Sequence, residues 1–257
     1  MALAKWAGLA VTALLSGIGR SPRLQCRLGV PKESHLAKLR RDHRWSFEEL
    51  LSRSRAAGGP QTMVLIDGPL YASNVGCVLR QAAVLQPPGA EDALSALLLA
   101  ASEPSRLTHT AVFPSERFLK NAVRISLAER QLLPQRTRMV TLPEPEQATM
   151  ALEALRREGF VLVALENLEA CDGESEPLAL WAAPLSAERV LFVAGGENHS
   201  LRPELLALCD VQCFIPSASC PLTPGTGWDG DETHNPSLNL AHAVVIALYE
   251  RRRQLCS

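Results

Sequence analysis

The runs FVLVA at 160–164 and VLFV at 190–193 are apolar at every position rather than at every second one. A strand with one solvated face alternates. An unbroken run of this length therefore demands cover on both faces, the condition met by a parallel sheet between two layers of helices. Stretches 63–66, 110–113, 138–141 and 211–215 complete a set of six candidate strands. Among them fall helical stretches at 75–85, 115–122, 145–158, 202–208 and 237–253. The one at 145–158 has Glu146 in its first turn, Arg156 and Arg157 near its end and Gly159 as terminator. Strands alternating with helices define an α/β fold. The apolar stretch within 85–105 is longer than a helix-to-strand link requires and is expected to add a peripheral helix.

The chain's 257 residues are enough for one large domain with a leading arm. No apolar run reaches the roughly 20 residues needed to span a bilayer, so no membrane partner is expected. Seven scattered cysteines do not make a disulfide framework, and reduced thiols in an intracellular compartment are expected.

Net charge near −1 conceals an asymmetry. Residues 1–45 carry nine Lys or Arg against Glu33 and Asp42, and the rest of the chain carries 17 basic groups against 25 acidic ones. A basic arm thus leads an acidic body, a pattern that suits nucleic-acid binding or an address. Residues 1–32 hold no acid and mix Ala, Leu, Ser and Arg, which resembles a mitochondrial presequence. Residues 33–60 read as a basic helical arm closed by Gly58-Gly59, and the remaining domain spans 61–257.

Three separated segments carry the polar residues of interest. In NVGCVLRQA, Asn74 stands where a helix cap belongs, Val75, Val78, Leu79, Ala82 and Ala83 form the apolar stripe, and Arg80 lies off it. The second segment, 189–217, is a strand, the loop GGENHS, a short helix, Cys209-Asp210 and a strand ending in Ile215-Pro216. The third, NPSLNLAHAVVIALYE, is a Pro-initiated helix. Cys209, Cys213, Cys220 and His199 do not fall at zinc spacing, so no metal is expected.

In this order the segments resemble the SpoU-type (TrmH-like) RNA 2′-O-methyltransferases of the SPOUT superfamily. The resemblance rests on Asn74, Gly76 and Arg80, then Gly195 and Glu197, then Cys209, Asp210, Ile215 and Pro216, then Ser237, Leu238 and Asn239. It implies a SPOUT-type α/β knot: a parallel sheet with helices on both faces and a C-terminal deep trefoil knot. It implies S-adenosyl-L-methionine (AdoMet) as cofactor, held at Gly195, Gly196, Ile215 and Leu238, with Leu165 beside them. Glycine suits a backbone that must approach a ligand closely. Methyl transfer to a ribose 2′-hydroxyl of rRNA or tRNA would follow, with Arg80 orienting the nucleotide and Asn74, Glu197, Ser237 and Asn239 shaping the site. Such knots pair through the last helix, so a homodimer or heterodimer is expected.

The chain departs from that pattern at Ser200, where the family has glycine, at Ser217, where methionine is common, and in a longer, acidic insertion at 217–236. These departures keep open an alternative: a catalytically weakened knot-fold protein that binds RNA or joins a ribosome-assembly particle.

Overall fold

A computed structural model of the chain describes residues 44–86, 95–102, 115–126, 137–166, 177–197, 199–216 and 238–257. All of them fall in the unit Lys38–Ser257. Eight strands form one sheet: β1 (Arg44–Trp45), β2 (Gln61–Asp67), β3 (Ser95–Ala100), β4 (Thr137–Leu142), β5 (Val161–Leu165), β6 (Leu178–Ala179), β7 (Arg189–Ala194) and β8 (Val211–Phe214). Their order across the sheet is β1-β4-β3-β2-β7-β5-β8-β6, and every pairing is parallel. The α-helices are α1 (Phe47–Ala56), α2 (Ala72–Val84), α3 (Glu116–Ser126), α4 (Pro145–Arg157), the single-turn α5 (Pro203–Leu206) and α6 (Leu240–Leu255).

The unbroken apolar runs have the expected cause. In β2, Val64 and Ile66 face a core built with Val75, Val78 and Leu79 of α2, Leu119 of α3 and Val244 and Leu248 of α6. Met63 and Leu65 face the opposite core, with Leu50 of α1, Leu152 and Leu155 of α4 and Leu205 of α5. Both faces are therefore dry, and each fully buried Leu or Ile contributes roughly 1.5–3 kcal/mol. The arrangement is the expected α/β sandwich of helices around a parallel sheet.

Several local expectations need correction. Residues 95–100, expected to lie in a peripheral helix, are the interior strand β3, fully buried between β2 and β4. Helix α2 begins at Ala72, not at residue 75, with Tyr71 at the cap position and no side-chain cap. Asn74 is thus inside the helix rather than at its cap. Over its described part, the expected arm is built into the sheet domain. β1 pairs with β4, Leu50 is buried, and buried Ser54 donates to Gln61 Oε1 at 2.6 Å while Gln61 Nε2 donates to Ser54 O at 2.8 Å. The candidate strand at 110–113, the insertion at 217–236 and the chain segment on which the knot depends lie outside the described residues.

Gly76 owes its place to helix packing. A Cβ there would stand 2.7 Å from Ala122 O and 2.8 Å from Ile125 Cβ, so α2 meets α3 at that point. At its far end α6 is locked by Arg251. Its guanidinium donates to Thr62 Oγ1 (2.7 Å) and to the carbonyls of Leu185 (2.5 Å), Ala187 (2.9 Å), Gln61 (2.8 Å) and Glu188 (3.2 Å). Burial pushes this guanidinium down to about 10.

Candidate active site at the carboxyl ends of the strands

From β2 the chain steps outward through β3 to β4, then crosses to β5 and β8 on the other side, and β7 fills the gap between β2 and β5. The carboxyl edge of an open parallel sheet at such a reversal is where ligands settle. Here the loop leaving β7 carries Gly195, Gly196 and Glu197.

Glu197 is the hub of this edge. Its carboxylate accepts from Leu70 N at 2.7 Å, Tyr71 N at 3.2 Å and Asn74 Nδ2 at 2.9 Å. It therefore takes the amides of the two residues just ahead of α2, the second of them the N-cap amide that a capping-box side chain takes in other helices. Asn74, 8% exposed, turns its other amide atom to α6: Asn239 Nδ2 donates to Asn74 Oδ1 at 3.3 Å. Asn239 is itself the cap of α6, its Oδ1 accepting from Ala241 N at 2.9 Å. Three residues far apart in sequence thus form one hydrogen-bonded chain. Asn74 faces this network. Arg80 stands on the same helix, half-buried and nearly two turns further along. Ser237 lies outside the described residues.

The candidate cofactor positions meet at the same edge. Leu165 is paired in register with Ala194 on one side and Cys213 on the other, which brings Leu165, Gly195 and Ile215 to adjoining strand ends. Leu238, 40% exposed, leads into Asn239. The structure adds a reason for the glycines beyond the one expected. A Cβ on Gly195 would lie 2.7 Å from both His199 O and Leu201 N, and one on Gly196 would lie 2.6 Å from His199 Nε2 and 2.7 Å from Gly68 O. The 195–201 loop folds back on itself. Ser200 is exposed, and its backbone rather than its side chain lies against Gly195.

Three polar residues of this edge, Glu166, Asp67 and His199, carry no sequence signal strong enough to single them out, and Asp210 stands at the amino end of β8 instead. The Glu166 carboxylate accepts from Leu201 N, which ties the end of β5 to the loop from β7. Buried Asp67, the last residue of β2, accepts from Arg202 Nε at 2.8 Å. Burial nevertheless holds its carboxyl above the usual range, with Arg202 and His199 pulling the other way. His199 stands out in the sequence only as a candidate zinc ligand, and among the described residues no cluster of metal-binding side chains occurs. Asp210, visible in the sequence only as half of the Cys-Asp pair, accepts from Leu162 N at 2.9 Å and pairs with Arg156 at 2.7 Å. It is a structural clamp on β5. Its neighbour Cys209 has a thiol pushed up to about 12 by burial, so it is an inert packed group.

No protein-family description and no curated sequence matches the chain. Solved structures do. The SpoU methyltransferase AviRb from Streptomyces viridochromogenes aligns with 80% of this chain and 63% of its own length, at 24% identity and a TM-score of 0.52. The same enzyme in complex with its cofactor AdoMet aligns over 77% and 61%, at 24% identity and a TM-score of 0.50. An rRNA methyltransferase from Sinorhizobium meliloti aligns over 83% and 62%, at 19% identity and a TM-score of 0.54. This chain accordingly spans a little over three-fifths of the length of those proteins, and it shares their fold.

Proposed function

We propose that this SpoU-like fold is an AdoMet-dependent methyltransferase acting on a ribose 2′-hydroxyl of RNA. The observation that carries the reading is the convergence of Asn74, Glu197 and Asn239 into one network beside Gly195 and Gly196, at the sheet edge where ligands settle. The residue types suit the cofactor: backbone at Gly196 and apolar side chains at Leu165, Ile215 and Leu238 match an adenine ring and a thioether chain. When bound, AdoMet supplies an electrophilic methyl group. The protein's share is then to place the acceptor and to take up a proton.

Arg80 orients the nucleotide and offsets phosphate charge, since a guanidinium stays protonated. Glu197, Asn74 and Asn239 position the start of α2 against the start of α6, with Ser237 adjoining. The substrate is rRNA or tRNA, and the acid-free 1–32 segment favours an organellar one. The outer face of α6, with Ile246 39% and Tyr249 60% exposed and Trp181 close by through its carbonyl's bond from Gln254, suits pairing with a second subunit, identical or related. The C-terminus is proposed to pass through the loop that makes the trefoil knot.

A second reading has one observation in its favour. His199 O and Leu201 N press on Gly195, close to the space that a ligand's approach would use. A cofactor-free RNA-binding or ribosome-assembly protein would fit that packing. The decisive experiment incubates the protein with methyl-labelled AdoMet and total RNA from cells lacking it, followed by alkaline hydrolysis. A 2′-O-methyl ribose blocks strand cleavage, so label in alkali-resistant dinucleotides supports the enzyme. RNA binding without label transfer supports the second reading.

A further inference from the structure

Beyond residue 45 the chain carries 17 basic groups against 25 acidic ones, so a polyanion can approach it closely only where cations are free and gathered. Outside α3, every arginine among the described residues is already engaged. Some are held in ion pairs, as Arg55 is by Glu158 and Arg253 by Glu250. Arg189, Arg251 and Arg252 donate to backbone carbonyls, Arg138 lies over the Trp45 ring, and Arg80 is engaged as well. A phosphate that seeks a paired cation must first displace the group that holds it.

Helix α3 is the exception. Arg117, Lys120 and Arg124 are exposed, and among the described residues their side chains meet no carboxylate and make no hydrogen bond. They stand at i, i+3 and i+7, on one face of the helix, away from the buried Leu119, Ala122 and Val123. The acid that would ordinarily quench this row is Glu116, four residues ahead of Lys120. It turns instead to Arg44 of β1, with contacts of 2.6 and 3.2 Å. Three cations therefore stand unopposed over about 10 Å of helix axis, the reach of roughly three phosphates of one duplex strand at about 3.4 Å each. The row adjoins the helix that bears Arg80. Gly76 of α2 packs on Ala122 and Ile125 of α3, and Arg80 follows one turn later on that side of α2.

We infer that Arg117, Lys120 and Arg124 form a phosphate-binding strip for the backbone of RNA, an inference that rests on the RNA substrate of the proposed function. Contacts of this kind fix the position of a strand without reading its sequence. The exposed side chain between Arg117 and Arg124 is Asn121, a polar group where a protein partner would need an apolar anchor. Unopposed cations without such an anchor suit a phosphate backbone better than an acidic protein.

The test follows binding of a fluorescein-labelled random-sequence RNA pool to the 257-residue chain by anisotropy, over a series of KCl concentrations. Wild type is compared with the triple variant Arg117→Gln, Lys120→Gln, Arg124→Gln. The control, Arg55→Gln, Arg157→Gln, Arg253→Gln, removes the same charge from arginines held in ion pairs. Each phosphate contact adds about 0.7–0.9 to the slope of log affinity against log salt. The α3 variant should lower that slope by about 2 and weaken binding at least about tenfold at low salt, while the control keeps the wild-type slope within about 0.5. Arg117→Lys, Lys120→Arg, Arg124→Lys keeps the charge and should keep the slope. If the triple variant melts early, Lys120→Gln alone should still lower the slope by about 0.7. A wild-type slope and affinity in the α3 variants, or a control that loses as much, would overturn the strip and leave the RNA reading intact. A wild type that binds no RNA would overturn both.

Discussion

At its N-terminus α6 is joined to α2 through an amide-and-carboxylate chain, Asn239 to Asn74 to Glu197, in a half-buried setting. About three turns later it is fixed by Arg251, whose guanidinium is 1% exposed and meets a hydroxyl and four backbone carbonyls without any carboxylate. Arg252 adds a bond of 3.1 Å to Val84 O and one of 3.0 Å to Gln86 O, closing the end of α2. The contrast separates two tasks on one helix. At the Arg251 end the donors are saturated and sealed, which holds a shape. At the Asn239 end a carboxylate and two amides stand near exposed Tyr71 and Leu238, the end to which the proposed function assigns the chemistry.

Breaking the sealed end should have the largest effect. Arg251→Ala strands several buried carbonyls at once and should cost about 3–5 kcal/mol in urea denaturation. Arg251→Lys, with three donors for five acceptors, should fall between. A loss below about 1 kcal/mol would mean that water reaches those carbonyls and that this end is no more closed than the other. Next in size is Glu197→Gln, which replaces a charged acceptor by an amide whose NH2 opposes backbone donors. A loss of about 1.5–3 kcal/mol is expected, with faster hydrogen exchange at the Leu70 and Tyr71 amides. Unchanged exchange there would remove Glu197 from the helix start.

The two ends of α6 also differ in how far the sequence discloses them, as do the strands beneath. Both-face burial of β2, β5 and β7 was legible because a run of apolar residues facing both ways is stable in a sheet only when both faces are covered. β3 was not: its Ala and Leu residues are good helix formers, and only its place between β2 and β4 makes it a strand. Asn74 shows the same limit at the site. The local rule that puts an asparagine at a helix start is sound, but the helix starts two residues earlier, and a carboxylate 123 residues away holds Asn74 in a cross-link. The motif residues could therefore be picked out without their partners. Arg251 could not be foreseen at all, since an arginine near a helix C-terminus ordinarily reads as a solvated complement to the dipole.

Smaller effects sharpen the Asn239 end. Asn239→Ala should cost about 1 kcal/mol as the loss of a cap. In a double-mutant cycle with Asn74→Ala, a coupling of at least about 0.5 kcal/mol is expected, and strict additivity would show that the 3.3 Å bond between them carries no energy. The smallest effect depends on pH. Asp67 is an acid whose carboxyl is raised by burial in the fold. Its favourable contribution is whole below the unfolded carboxyl value of about 4 and is lost as pH rises through the raised one. Asp67→Asn removes that titration, so the stability difference should move in favour of the variant as pH rises above about 4. Movement toward the wild type would show that Arg202 outweighs burial.

The proposed methyl transfer requires that a methyl donor fit among Leu165, Gly195, Gly196, Ile215 and Leu238. Calorimetric titration of the folded 257-residue chain with AdoMet measures this directly. Saturable binding is predicted, with one site per chain and competition by S-adenosylhomocysteine. A folded protein that takes up no AdoMet at millimolar concentration would contradict it.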